Sequence, residues 1–342
     1  MTQRSEKQGI ESAAIRSRNR FSEEKVAVIV FIIFALLPIF ITGYPIYILP
    51  QYMLFGVLAM SLALLWGFVG ILSFGQAAFF ALGAYTMGLA MQTNFGVNSG
   101  YIGILISPLV GGVLAAITGY FLFNAGVKAT YFVLVTLALS IMIEQIAVSQ
   151  SDITGGWNGM YIDRMPLTFG TFGEISLFND IPAYYAIFPV VIAIYVFVRW
   201  LATGRFGKIL IGIRENEDRM TALGFNISAY KTGAFALSGA IACLAGALYG
   251  AHANFVAPSL GGVLFSTEVV VWVAIAGRAS LLAALLGGIL VASLSNYLST
   301  ITPDYWQLVL GIIFILVIVF LKGGVAGAIS DLSKHLQSKV KR

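Results

Sequence analysis

Between Lys25 and Lys128 the chain runs for 102 residues without one Asp, Glu, Lys, Arg or His. A helix needs about 20 apolar residues to cross the hydrocarbon of a bilayer, so this run has room for about four crossings. Gly, Pro and polar clusters divide the whole chain into ten apolar segments, at 26–44, 50–72, 73–92, 101–123, 130–149, 183–201, 232–256, 265–278, 281–300 and 305–322. The pattern predicts an all-α, polytopic membrane protein of about ten transmembrane or re-entrant helices. Segment 265–278 is short, holds Glu268 near one end and Arg278 at the other, and follows the loop Pro258 to Gly262. That composition fits a broken or re-entrant helix, which is tolerated at membrane depth only against protein or a water-filled cavity.

Basic residues set the orientation. With ten spans, 19 of the 20 Lys and Arg fall on one side, and Arg164 alone on the other. Loops rich in positive charge stay in the cytoplasm, so both termini are expected there. The domains follow: a basic cytoplasmic tail at 1–25, a transmembrane domain at 26–322 with a cytoplasmic loop at 202–231, and a second basic tail at 323–342. The run Val26 to Ile48 is too long for a signal-peptide core and lacks a small-x-small cleavage pattern, so it reads as a retained first helix.

Composition agrees. Apolar and aromatic residues make up 59% of the chain and charged ones 10%, against roughly 25% charged in soluble domains. Soluble enzyme, nucleic-acid binder, disordered scaffold and secreted disulfide protein are poor readings. The net charge of +5 reflects orientation, and no nucleic-acid partner is expected. The single cysteine, Cys243, excludes a disulfide framework within the chain.

Small residues repeat at helical spacing. Ala77, Ala81, Ala84 and Gly88 share one helix face, and Gly239, Cys243, Gly246 and Gly250 repeat the spacing 162 residues later. Such faces let helix backbones approach closely. Both segments run in the same direction, so they read as shared packing chemistry and not as an inverted repeat.

The informative polar stretch is Gly204 to Gly224. Ile209, Ile213, Met220 and Leu223 form an apolar stripe, Arg214, Glu215, Glu217, Asp218 and Arg219 stay polar, and Gly224 sits where a helix ends. A short amphipathic helix under the membrane is predicted. It either rests on the lipid interface or lays its apolar face in a groove on a soluble partner. The mixed signs of its polar face fit anionic lipid poorly.

Ionisable groups at membrane depth mark candidate function. Thr136, Ser140 and Glu144 lie at i, i+4 and i+8 on one helix face, a stripe that either faces a hydrated path or is bonded inside the bundle. Glu268 and Arg278 are about 15 Å apart along a helix and cannot pair along it. Gln76, Tyr85 and Asn296 are candidates for the path or for interhelical hydrogen bonds. His252 and Asn254 end their segment near the outer surface, and no second His or Cys is placed beside them to bind metal. No nucleophile–base pair or close carboxylate pair appears in the sequence.

Several motifs look familiar. Leu65-Trp66-Gly67-Phe68-Val69-Gly70 through Tyr85, Tyr131-Phe132-Val133-Leu134-Val135-Thr136-Leu137-Ala138, Thr154-Gly155-Gly156-Trp157-Asn158-Gly159, Arg214-Glu215-Asn216-Glu217, and Ser238-Gly239 through Tyr249 resemble, in order, the branched-chain amino-acid permease family of ABC importers (LivM type). The likeness covers about 45–325. It implies a transport subunit, not an enzyme, in the bacterial plasma (inner) membrane. Its implied partners are a second homologous permease, two ABC ATPase subunits, an extracytoplasmic solute-binding protein and the lipid bilayer. The loop helix would be the ATPase-coupling element, with Arg205, Ile209, Ile213, Arg214, Glu215, Asn216, Glu217, Arg219, Met220 and Gly224. The chain has no G-x-x-x-x-G-K-[ST] loop, so no cofactor is expected in it, and ATP and Mg would belong to the partner ATPase.

The solute implied is small, largely neutral and nitrogen-containing, first a branched-chain or hydrophobic amino acid. The run Glu268 to Arg278 looks more like the urea and short-chain amide branch, with Trp272-Val273-Ala274 before the turn and Ala276 in place of the first Gly. Trp157 is also bulkier than usual in its loop. A urea or amide importer is therefore the alternative, and Trp272 joins the solute-path candidates. An ion-coupled secondary transporter using Glu144 and Glu268 is the further alternative.

Overall fold

The computed structural model describes residues 23–93, 98–163, 167–168, 174–175, 180–278, 280–320 and 324. Arg164, most of the first tail and nearly all of the second lie outside the described residues. Met1–Ile46 and Tyr47–Arg342 form two compact units. In the first, helix α1 occupies 23–40. Helix α2 is Tyr44–Ala63.

Each of the ten apolar segments falls on a helix, and their lengths sort them. Among the described residues six helices are long and apolar enough to cross a membrane: α2 with its continuation to Val69, α4 (Ser99–Asn124), α5 (Ala129–Ser149), α7 (Asp180–Thr203), α10 (Ile227–Ala253) and α12 (Leu281–Ile301). Shorter ones are α3 (Gln76–Gln92), α11 (Val263–Ala276) and α13 (Trp306–Phe320). The one-turn α6 (Ser151–Thr154) follows α5, and α8 (Arg205–Glu215) and α9 (Glu217–Ala222) follow α7. Among the described residues strand is confined to two-residue pairs: β1 (Met160–Tyr161) with β4 (Phe255–Val256), and β2 (Leu167–Thr168) with β3 (Glu174–Ile175).

The core is the crossing of α3 with α10. A Cβ at Gly83 would collide with the Cys243 carbonyl, and one at Gly246 would collide with the Phe80 carbonyl. The two contacts are the same contact with the roles of the helices exchanged. Gln76 and Ser238, themselves 162 residues apart, hydrogen-bond across the same crossing. The α10 stripe thus enters the crossing at Cys243 and Gly246 and reaches Ala84 through Gly250, whereas on α3 the contact runs through Phe80 and Gly83, beside the stripe, and Gly88 abuts Met160 and Ile162 instead. Helix α4 closes on the same place, with Gly111 against Cys243 and Gly239 against Ala115. Its opposite face exposes Leu105, Leu109, Val113 and Ile117, an apolar surface suited to lipid or another membrane subunit.

Segments 50–72 and 73–92 are not one helix after the other. Helix α2 ends in a π-helical turn, Leu64–Val69, capped by Gly70 at φ +83, whose N–H reaches the Leu65 carbonyl at 3.0 Å. Residues 70–75 are non-helical, and α3 begins at Gln76. Glycine alone adopts that φ cheaply. Apolar periodicity cannot see the break, because every residue around it is apolar or small.

Candidate functional site

Two constellations grow from this break. The first satisfies its backbone. The Phe74 N–H donates to Thr136 Oγ1 at 3.1 Å, and Ser140 Oγ donates to the Phe74 carbonyl at 2.7 Å. Both residues stand on α5, one turn apart, so the helical spacing seen in the sequence fits the two polar groups of one residue. Ser140 also lies 3.0 Å from Ser266 Oγ on α11. At the start of α3, Gln76 Oε1 accepts from Ser61 Oγ and Nε2 donates to Ser238 Oγ, both at 3.0 Å, while Ser238 Oγ donates to the Ser61 carbonyl at 2.6 Å. Ser61, Gln76, Thr136, Ser140, Ser238 and Ser266 are all buried. Unpaired, each would cost about 1–3 kcal/mol; paired, they fix the broken segment against α5, α10 and α11. Of these, Gln76, Thr136 and Ser140 are the sequence's candidates for the path or for hydrogen bonds inside the bundle. Their hydrogen-bonding groups are committed inside the chain.

The remaining candidates are placed separately. Glu144 is half-buried, and a Cβ on Gly262 would stand 2.9 Å from both of its carboxylate oxygens. Gly262 is the N-cap of α11, so the carboxylate sits at the positive end of that helix. It joins neither Gln76 nor the Thr136 and Ser140 bonds. Tyr85 is buried, and its hydroxyl has no partner among the described residues. Glu268 and Asn296 are half-buried. Trp272 packs in an aromatic cluster with Phe55 and Phe265, at centroid distances of 5.5 and 5.7 Å, which Phe80 and Tyr249 extend. Sequence reasoning missed this cluster, since its members come from α2, α3, α10 and α11. His252 is buried at the end of α10 with Nε2 2.8 Å from the Tyr47 carbonyl, more enclosed than an interfacial position implied. Among the described residues no group of three or more His, Cys, Asp or Glu is placed to hold a metal.

The second constellation is the seat of α8 and α9. The expected single helix over 205–224 is two, because Asn216 is extended (φ −162) and its Oδ1 caps α9 by accepting the Arg219 N–H at 2.8 Å. An Asn N-cap is a strong start signal. A Cβ at Gly207 would strike the Ala202 carbonyl, so glycine permits the tight turn from α7. The apolar stripe is divided. Ile213 is buried, together with Leu210, which the sequence reading left out; Ile209 and Met220 are half-buried, with Met220 against Gly212; and Leu223 is exposed. The apolar face of α8 is therefore covered by its own chain. Open residues are Arg205, Lys208, Arg214, Glu215, Asn216, Glu217, Asp218 and Arg219, followed by Thr221 to Gly224. Amphipathic spacing shows that a face is apolar but not what covers it.

Two ties hold this unit. Arg214 Nη1 donates to the Gly67 carbonyl in the π-turn, and its side chain lies where a Cβ on Gly70 would be. Gly67 in turn abuts the Arg278 carbonyl, while the Arg278 guanidinium lies 5.6 Å from the Trp66 ring centroid. Farther along, Lys231 on α10 pairs with Glu217 at 2.7 Å and sits over the Phe123 ring. Gly224 (φ +85) ends α9, with the Phe225 N–H bonded to the Met220 carbonyl at 3.1 Å. The Trp66-Gly67-Phe68-Val69-Gly70 motif is thus the socket for Arg214.

An all-α, polytopic membrane protein, with a polar two-helix unit seated on a broken helix pair, is the class these features define. The family described as "Branched-chain amino acid transport system / permease component" matches residues 44–318, and the chain belongs to that family. It is a multi-pass protein of the bacterial inner membrane. The high-affinity branched-chain amino acid transport system permease protein LivM of Escherichia coli is 28% identical over 290 residues, 78% of this chain and 66% of that protein. The nucleoside ABC transporter permease protein NupC of Lactococcus lactis is 26% identical over 53% of this chain and 58% of its own length. The ribose import permease protein RbsC of Haemophilus influenzae is 25% identical over 64% of this chain and 67% of its own. The chain spans just under two thirds of the length of the LivM relative. No solved structure matches it.

Proposed function

We propose that the chain is one permease subunit of an ATP-driven importer of a small, largely neutral nitrogen-containing solute, with branched-chain or hydrophobic amino acids as the first choice. The observation that carries this is the α8–α9 unit: an exposed polar surface tied through Arg214 to the α2–α3 break and through Lys231 to α10. A motor grasping that surface moves the core crossing directly. The motor is a pair of ABC ATPases holding ATP and Mg. A second, similar permease completes the path, and an extracytoplasmic binding protein delivers the solute. Docking uses the open residues Arg205, Glu215, Asn216, Glu217 and Arg219, while Ile213 holds the unit to its own chain. Both termini and the 202–231 loop are cytoplasmic, as the basic residues require.

The solute passes over Tyr85, Glu144, Glu268 and Asn296, whose polar groups are not drawn into the Gln76 and Thr136 bonds. Trp272 supports that wall from its aromatic cluster. The amino-acid assignment leans on the name of the LivM relative, and the nucleoside and ribose relatives show how far solutes vary on related chains. Urea or a short amide is the second choice, favoured by the run around Trp272. Uptake into proteoliposomes holding the complete transporter tests the reading. Uptake that needs ATP in the compartment of α8 and ignores an uncoupler is expected. Uptake abolished by the uncoupler and indifferent to ATP would instead establish the ion-coupled alternative.

A further inference from the structure

A cavity of about 600 Å³ opens beside α9, between the α4–α5 turn, the start of α10 and the residues after the π-turn. Charges of both signs line it. Arg214 is engaged by the Gly67 carbonyl, and Lys231 by Glu217. Among the described charged residues of its lining, this leaves one cation, Lys128, and one anion, Asp218, without a partner. Lys128 precedes the first turn of α5, whose N–H groups add to its pull on a carboxylate. Asp218 stands on α9. Ile71 and Phe132 contribute apolar side chains to the same lining. One free charge of each sign over an apolar wall matches a zwitterion with a hydrocarbon side chain, and the volume is ample for one.

We infer that this cavity binds a free aliphatic α-amino acid from the cytoplasm, its carboxylate at Lys128 and its ammonium at Asp218. The occupant bridges α9 to the α4–α5 turn and so restrains the unit that the ATPase must move. Transport then slows as the amino acid accumulates inside. The regulatory part of this inference rests on the importer reading above; the binding part does not.

The test uses the complete transporter in proteoliposomes, with leucine, isovalerate or isoamylamine loaded into the compartment that α8 faces. Leucine there should lower the initial uptake rate several-fold, while isovalerate, lacking the ammonium, and isoamylamine, lacking the carboxylate, should not. Lys128→Gln should transport at the wild-type rate without internal leucine, and Asp218→Asn, which alters the exposed α8–α9 surface, is scored against its own rate without internal leucine. Each should need roughly tenfold more leucine for the same inhibition, the effect of losing one charge-assisted contact. Unaltered uptake by wild type, equal inhibition of both variants, or inhibition by isovalerate would overturn the proposal. Absence of all uptake with an empty lumen counts against the importer reading alone. Calorimetric titration of the purified full chain with leucine then decides the cavity: binding weakened in both variants supports it, and no binding, or binding unchanged by them, refutes it.

Discussion

Replacing Arg214 by Ala removes the bond that pins α8 to the π-turn. The bond runs from a guanidinium to the Gly67 carbonyl across 147 residues of chain. A hydrogen bond to a charged group contributes about 1.5–3 kcal/mol, and each 1.4 kcal/mol is about tenfold in population. The detached state of α8 should therefore rise roughly tenfold to a hundredfold. Leu210 and Ile213 stay buried, so the helix remains docked most of the time and the chain stays in the membrane. Amide hydrogen exchange reads this directly, since local opening sets the exchange rate. In the Arg214→Ala variant, amides from Lys208 to Glu215 should exchange faster by that factor, while those of α10 around Gly246 should not change. Unchanged exchange in α8 would show that Arg214 does not hold it, and the mechanical link drawn here would fail.

Other contacts set further outcomes. Ile213→Asp should lose membrane-inserted protein, because an unpaired charge enters the covered face of α8, at a cost of several kcal/mol. Leu223→Asp should leave protein levels intact and reduce co-purification of an ATPase; quantitative blotting separates the two variants, and equal levels would contradict the burial of Ile213. Gly246→Val should abolish assembly, since no side-chain shift relieves a collision with the Phe80 carbonyl, whereas Gly112→Ala, whose Cβ would stand 3.3 Å from Ala240 Cβ, should cost about 1–3 kcal/mol at most, read by thermal unfolding in detergent. Glu144→Gln removes the carboxylate charge at the start of α11, worth about 0.3–1 kcal/mol, and should alter transport kinetics without loss of assembly; wild-type kinetics would make Glu144 purely structural.

Much of this architecture was legible in the chain because the bilayer demands it. Apolar runs located the helices, and the small residues Cys243, Gly246 and Gly250 of the second stripe stand at the α3–α10 crossing. The spacing of Thr136 and Ser140 revealed a polar face, but not that Phe74 would occupy it. Hydrogen-bonding partners from other elements leave no periodic trace. The same limit hid the aromatic cluster around Trp272 and the socket for Arg214, although Gly67 and Gly70 stood in view. The division of 205–224 at Asn216 carried a signal, an Asn followed by Glu217 and Asp218, which an N-cap reading detects. The burial of Leu210 had none, because nothing in α8 alone says which neighbour covers its apolar side.

Accessibility of Leu223 tests the central claim most directly. The one native cysteine, Cys243, is buried, so a Leu223→Cys variant offers a single reactive thiol on the exposed end of α9. The account predicts labelling by a membrane-impermeant maleimide in inside-out vesicles and none in intact cells. Labelling from outside intact cells would place the α8–α9 unit beyond the reach of any ATP-driven motor and contradict the account.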